Sequence, residues 1–196
     1  PVAVLFADIR GFSSLAESLP PHELSELLGE FREILAHEIR DHGGVVDKFI
    51  GDAVLAVFGF PASENVPARR SLDCAFSILG KLDRWADECR ARGRPAVTIG
   101  IGVHFGEAFV GVVGKESLLE FTVIGDTVNI AERIERLTRT FDAEIVISEA
   151  LAEAAGLDRP AARWSSMRDC ELAGHAQRID ILHLRRTAPT EAGQAG

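Results

Sequence analysis

The chain has 196 residues, 46% hydrophobic and 26% charged, with 21 Lys and Arg against 30 Asp and Glu and a formal net charge of −9. That balance excludes a binder working by phosphate neutralisation on nucleic acid, and no basic stripe offsets it. No apolar run approaches the roughly 18 residues that cross a bilayer; the longest, residues 53–60 and 108–114, are strand-sized. Cys74, Cys89 and Cys170 are odd in number, far apart and outside any C-x-x-C spacing, which argues against a disulfide framework or structural zinc and for a cytoplasmic setting. His37-Glu38 and His42 resemble a zinc-protease helix signature, but at i+5 the two rings diverge by about 140°, so both are read as exposed helix residues. The abrupt start at Pro1, without a signal peptide, suggests a piece of a longer protein with an upstream regulatory region that could tether it to a membrane.

Residues 2–7 are a short apolar run of the kind buried on both faces of a sheet, and Gly11-Phe12-Ser13-Ser14 reads as a turn. Leu24, Leu27, Leu28, Phe31, Ile34, Leu35 and Ile39 then form one helical stripe, opened by Pro20-Pro21 and closed by Gly43-Gly44. Residues 45–50 and 53–58 predict a hairpin across Gly51-Asp52. A second stripe through Leu72, Ala75, Phe76, Leu79, Leu82, Ala86 and Cys89 stops at Gly93. Residues 96–105 and 107–113 are expected to pair about Gly106. A strand over 121–124, a helix over 126–137 with Ile130, Ile134 and Leu137 inward, and a strand over 144–147 follow. Ser148 is the N-cap of a short helix that Gly156 ends, and residues 163–172 and 178–184 complete the sheet. Residues 1–186 thus form one domain, with 187–196 a polar tail.

The order β-α-β-β-α-β defines an α+β fold with a ferredoxin-like, split βαβ core, a mixed and mostly antiparallel sheet, and C-terminal α/β elements. In that topology the end of the first strand and the hairpin turn share one rim, so Asp8 and Asp52 become neighbours. Two such carboxylates repel unless a cation separates them, and hard oxygen ligands suit Mg²⁺ or Mn²⁺ held with substrate phosphates. Residues 9–13, with Gly11 in a turn before a helix start, offer backbone N–H groups to a polyphosphate. Neither a P-loop nor a G-x-G-x-x-G turn is present, and Gly100-Ile101-Gly102 lies inside a strand.

Three stretches in order, Phe6-Ala7-Asp8-Ile9-Arg10-Gly11-Phe12-Ser13, Lys48-Phe49-Ile50-Gly51-Asp52 and the run from Thr122-Val123-Ile124-Gly125-Asp126-Thr127-Val128-Asn129 through Arg133, resemble the class III nucleotidyl cyclase catalytic domain. The resemblance implies cyclisation of a nucleoside triphosphate with release of pyrophosphate. It implies two Mg²⁺ or Mn²⁺ ions held by Asp8, Asp52 and the Ile9 carbonyl, and phosphates cradled by Gly11, Phe12 and Ser13. By the same likeness, Asn129 orients the ribose and Arg133 stabilises charge on the α-phosphate, while Lys48 and Thr122 read the base as in the Lys/Thr branch of adenylate cyclases. An ammonium donates to adenine N1 and cannot accept from guanine N1–H; the Thr122 hydroxyl can accept from the adenine amino group but can also donate. Because family sites form between two domains and this chain carries both halves, a homodimer binding ATP is implied. One departure is Ala173, where the family commonly has Lys or Arg for the terminal phosphates; His175 and Arg178 are the nearby basic residues. The competing readings are a guanylate cyclase, which Lys48 opposes, and a catalytically silent nucleotide-binding or dimerisation module.

Overall fold

The first strand, β1 (Val2–Ile9), is apolar along its length because both its faces are covered. Ala3, Leu5, Ala7 and Ile9 enter one core cluster, and Val2, Val4 and Phe6 enter another on the opposite side. The computed structural model describes residues 1–60, 66–115, 119–157, 163–175 and 177–185; the expected tail 187–196 lies outside them. After β1 come α1 (Phe12–Ser18), α2 (Pro21–Asp41), β2 (Gly44–Ile50), β3 (Ala53–Phe58), α3 (Pro67–Ala91), β4 (Ile99–Gly106), β5 (Phe109–Val113), β6 (Glu120–Ile124), α4 (Asp126–Thr140), β7 (Ala143–Ser148), α5 (Glu149–Ala154), β8 (Trp164–Cys170) and β9 (Ile179–Arg185).

Seven strands form one sheet in the order β2-β3-β1-β4-β7-β9-β8. Its first four are the antiparallel ferredoxin-like unit, β7 joins β4 in parallel, and β9 and β8 return antiparallel. The fold is therefore α+β with a mixed, mostly antiparallel sheet. Phe31 of α2, Ile78 of α3 and Leu151 of α5 fill the cluster on one face. Ala131 of α4 and Val123 of β6 join the cluster on the other. All three cysteines are buried and free, and no helix among the described residues is long and apolar enough to cross a membrane.

Three local expectations are corrected. Residues 12–18 are a helix rather than only a turn, and Gly11 provides its N-cap at φ 67°. Residues 96–105 and 107–113 do not pair with each other. Both edges of β4 are already taken, by β1 and β7, so the chain leaves the main sheet at Gly106 and β5 pairs instead with β6 in a separate two-stranded ribbon. His37 is exposed on α2, but His42 lies just past its end as a half-buried C-cap whose Nδ1 meets the Glu38 carbonyl at 2.8 Å.

The seating of α4 on β4 depends on two strand glycines. A methyl group on Gly102 would fall 2.2 Å from the Glu135 backbone nitrogen and 2.5 Å from its Cα, and one on Gly100 would meet Thr138 Oγ1 at 2.2 Å. Here the helix backbone occupies the space of a side chain. Arg10 fixes the far end of the same helix, its guanidinium donating to the Thr138 carbonyl at 3.1 Å and to the Ile99 carbonyl at 3.2 Å. Gly102→Ala is expected to cost about 3 kcal/mol in chemical denaturation through overpacking against rigid backbone. Gly29→Ala, in α2 with open space at its Cβ, should instead add about 0.5–1 kcal/mol.

Candidate active site

Alternation along β1 carries Val2, Val4, Phe6 and then Asp8 toward the α4 face. The antiparallel register, Ala7 opposite Val54, brings the end of β1 beside the turn that precedes β3, where Asp52 stands. The two carboxyls meet within hydrogen-bonding range. Burial first, and then the hydrogen bond and charge of Asp8, push the Asp52 carboxyl up to about 6; the backbone amides of Asp52 and Ile9 pull the other way. From α2, Arg32 donates to the Gly51 carbonyl at 2.6 Å and stacks its guanidinium over Phe49, which pins the turn. Ile9, 1% exposed, lies beside the two acids, and Gly11 and the first residues of α1, Phe12 and Ser13, follow directly. No side chain caps that helix start, so its first-turn amides point outward without a side-chain acceptor.

This donor set fits a small hard cation, which usually takes one or two carboxylates and leaves its remaining positions to water and substrate phosphate. Among the described residues no group of three or more His, Cys, Asp or Glu gathers into a closed metal cage. Positive charge reaches Asp8 from α4, where Arg139 Nη2 pairs with its Oδ2 at 2.5 Å while Nη1 holds Glu135. Burial raises the pKa of Glu135 despite Arg139. Arg139 and Glu135 were not singled out as site residues by the sequence; only the last turn of α4 lying against β1 joins them to Asp8.

Lys48 and Thr122, the residues expected to read a base, come together on a second patch. Lys48 on β2 pairs with Glu120 of β6 at 2.5 Å and with Asp47 at 3.6 Å, and the hydrogen bond to Glu120 raises its pKa. Thr122, 8% exposed, donates from Oγ1 to Asp47 Oδ2 at 3.1 Å. Asp47 and Glu120 carried no signal in the sequence, because their part depends on β6 crossing over β2.

Asn129 and Arg133 share one face of α4. The Asn129 side chain lies near Asp126, whose carboxyl is held below the usual range chiefly by its hydrogen bond to His175. Arg133 is not a free surface charge: its Nε donates to the Ala173 carbonyl at 2.9 Å and its Nη2 to the Gly174 carbonyl at 3.4 Å. Its Nη1 is buried without a hydrogen-bond partner among the described residues. Thus the main chain at Ala173, where a basic side chain was expected, orients Arg133. His175 sits against Asp126 at the head of α4, whereas Arg178 is committed to Asp169 and Glu171.

The chain does not bring its two sets together. Arg139 touches Asp8, and Asn129 lies ten residues earlier on the same helix, about 15 Å along its axis. Its short amide cannot span that distance.

A sheet of this topology with paired acids at the rim and an Asn/Arg helix beside it defines a nucleotidyl cyclase domain. The profile of the Adenylate and Guanylate cyclase catalytic domain matches residues 1–182, and the chain belongs to that family. It is 36% identical to an adenylate cyclase of Anabaena cylindrica over 154 residues, 76% of this chain and 30% of that protein. It is 28% identical to adenylate cyclase 1 of Rhizobium meliloti over 198 residues, 99% of this chain and 29% of that one. The chain therefore spans less than a third of either relative. Among solved structures, a guanylyl cyclase superposes with a TM-score of 0.81 at 30% identity, covering 97% of this chain and 94% of its own. The adenylyl cyclase CyaB of P. aeruginosa shares the fold at a TM-score of 0.83 and 24% identity, covering 95% and 94%.

The acid pair has a measurable signature. Asp52 holds its proton more tightly when folded than in the unfolded chain, where it titrates near 3.8, so the stability this group contributes falls as pH rises through about 6. Asp52→Asn should melt at a higher temperature than wild type at pH 7.5 without added divalent cation. The difference should vanish below about pH 4 in thermal denaturation.

Proposed function

We propose that this domain is an adenylate cyclase, converting ATP to 3′,5′-cyclic AMP and pyrophosphate at sites shared by two copies of the chain. The observation that carries the reading is the contact of Asp8 with Asp52 at the rim of the sheet. Those carboxylates and the Ile9 carbonyl would hold two Mg²⁺ or Mn²⁺ ions. Bound there, the ions would lower the pKa of the ribose 3′-hydroxyl and share the charge of the triphosphate. The 3′-oxygen attacks the α-phosphorus, the bond to the β-phosphate oxygen breaks, and pyrophosphate leaves. Amides at Gly11, Phe12 and Ser13 receive phosphate oxygens.

Arg133, held at Nε and Nη2 by main-chain carbonyls, supplies a permanent positive charge for the charge that grows on the α-phosphate. Asn129, one turn earlier, orients the ribose. Lys48 donates to adenine N1, which a guanine, protonated at N1, would not accept. This is what favours ATP, although the superposable structures include a guanylyl cyclase.

The separation of Asn129 from Asp8 along α4 supports a site completed by a second copy. So does the ribbon of β5 and β6, on one face of which Phe109, Val113 and Ile124 are exposed together. A symmetric pair would cover that ribbon and form two equivalent sites.

With Mn²⁺ and ATP, purified protein should yield cyclic AMP with specific activity that climbs with protein concentration; a flat response across the dimerisation range would sink the shared site. Asp52→Ala and Arg133→Ala, each inactive alone, should on mixing recover about a quarter of wild-type activity, since half the dimers are mixed and each carries one intact site. Mixed dimers with no recovery would overturn the reading.

A further inference from the structure

β2 carries an irregularity at the point where the base-reading lysine emerges. Val46 faces Ala56 on β3 and Lys48 faces Leu55, so Asp47 is the extra residue of a β-bulge. In a regular strand Asp47 and Lys48 would point to opposite faces. Leu55 belongs to the cluster beneath β6, whereas Val46 and Phe49 pack in the other one, so the bulge turns both Asp47 and Lys48 toward β6.

The Asp47 side chain is only 1% exposed, and its hydrogen bonds are specific. Oδ1 accepts the Val123 backbone N–H at 3.1 Å, Oδ2 accepts the Thr122 hydroxyl at 3.1 Å, and the Lys48 ammonium lies 3.6 Å away. A carboxylate has no proton to give, so Thr122 must be the donor in that bond. Its single proton is thereby committed, and only lone pairs remain on Oγ1.

We propose that Asp47 is the positioning residue that sets nucleobase choice, by locking the Thr122 hydroxyl as an acceptor toward the 6-position of a purine. An acceptor there welcomes the exocyclic amino group of adenine and opposes the 6-oxo group of guanine. The proposal rests on the adenylate cyclase reading and supplies what the sequence leaves open, which way the Thr122 hydroxyl points. A buried acceptor facing the wrong base is left unpaired, and such sites discriminate strongly.

Asp47→Asn tests it, because the Val123 N–H can only donate and so fixes the amide oxygen against it. The amide nitrogen then faces Thr122, which must accept, and its proton turns toward the base. The ATP:GTP ratio of kcat/KM should fall at least tenfold, and the same shift should appear in the binding of 3′-deoxy-ATP and 3′-deoxy-GTP, which cannot cyclise. In a Thr122→Ala background, Asp47→Asn should change the ratio no further.

If both activities of Asp47→Asn drop in parallel and the ratio holds, Asp47 merely supports the fold and the proposal fails while the cyclase reading stands. A wild-type enzyme that prefers GTP would overturn both. Should Asp47→Asn not fold, Thr122→Ser and Thr122→Val on intact Asp47 decide: Ser should keep the ratio and Val lose it, and a Val variant with the wild-type ratio refutes the idea.

Discussion

The antiparallel pairing of β1 with β3 is the constraint from which the site follows. Because Ala7 lies opposite Val54, the last turn of the hairpin and the last residues of β1 arrive at one rim, and Asp8 and Asp52 are forced into contact. A slip of one residue would send Asp8 to the other face, into the apolar cluster built by Phe31 and Ile78, and turn Leu5, Ala7 and Ile9 out of it. The same pairing buries both faces of β1, so the energy that fixes the register is hydrophobic, while the pair it creates is electrostatically unfavourable by itself. Apolar packing thus holds two acids where only a proton or a cation makes them comfortable.

Much of this was legible in the residues. The double-sided run of β1, the stripes of α2 and α3, the Gly51-Asp52 hairpin and the Ser148 cap, which accepts from the Leu151 amide at 3.1 Å, all express local periodicity or local turn chemistry. Topology alone then brought Asp8 to Asp52. What escaped depended on contacts between distant segments. Nothing near Gly106 reveals that both edges of β4 are claimed by β1 and β7. The helix α1 hides behind Gly-Phe-Ser-Ser, which suits a turn equally well. The bulge at Asp47 has no proline or glycine to mark it, and Arg139 is one of several charges on α4 until the helix is laid across β1.

The two patches also differ in how they are held. The acid rim is braced from outside, by Arg32 on the turn and Arg139 on Asp8, both long side chains reaching in from helices. The patch around Lys48 and Thr122 is braced from within, through a buried carboxylate that ties two strands from different sheets. The first arrangement tolerates exchange of charge at its centre; the second fixes the direction of single protons.

Helix α4 has a role that its residues taken one at a time do not disclose. One end of it leans on Asp8 through Arg139, and ten residues earlier it carries Asn129, with Gly100 and Gly102 clamping its backbone to β4 in between. In the proposed twofold pair those ends would serve different reaction centres, with the helix a rigid crossbar between them. In such a pair, any tilt imposed on it would retune both centres at once, a single mechanical input to two sites.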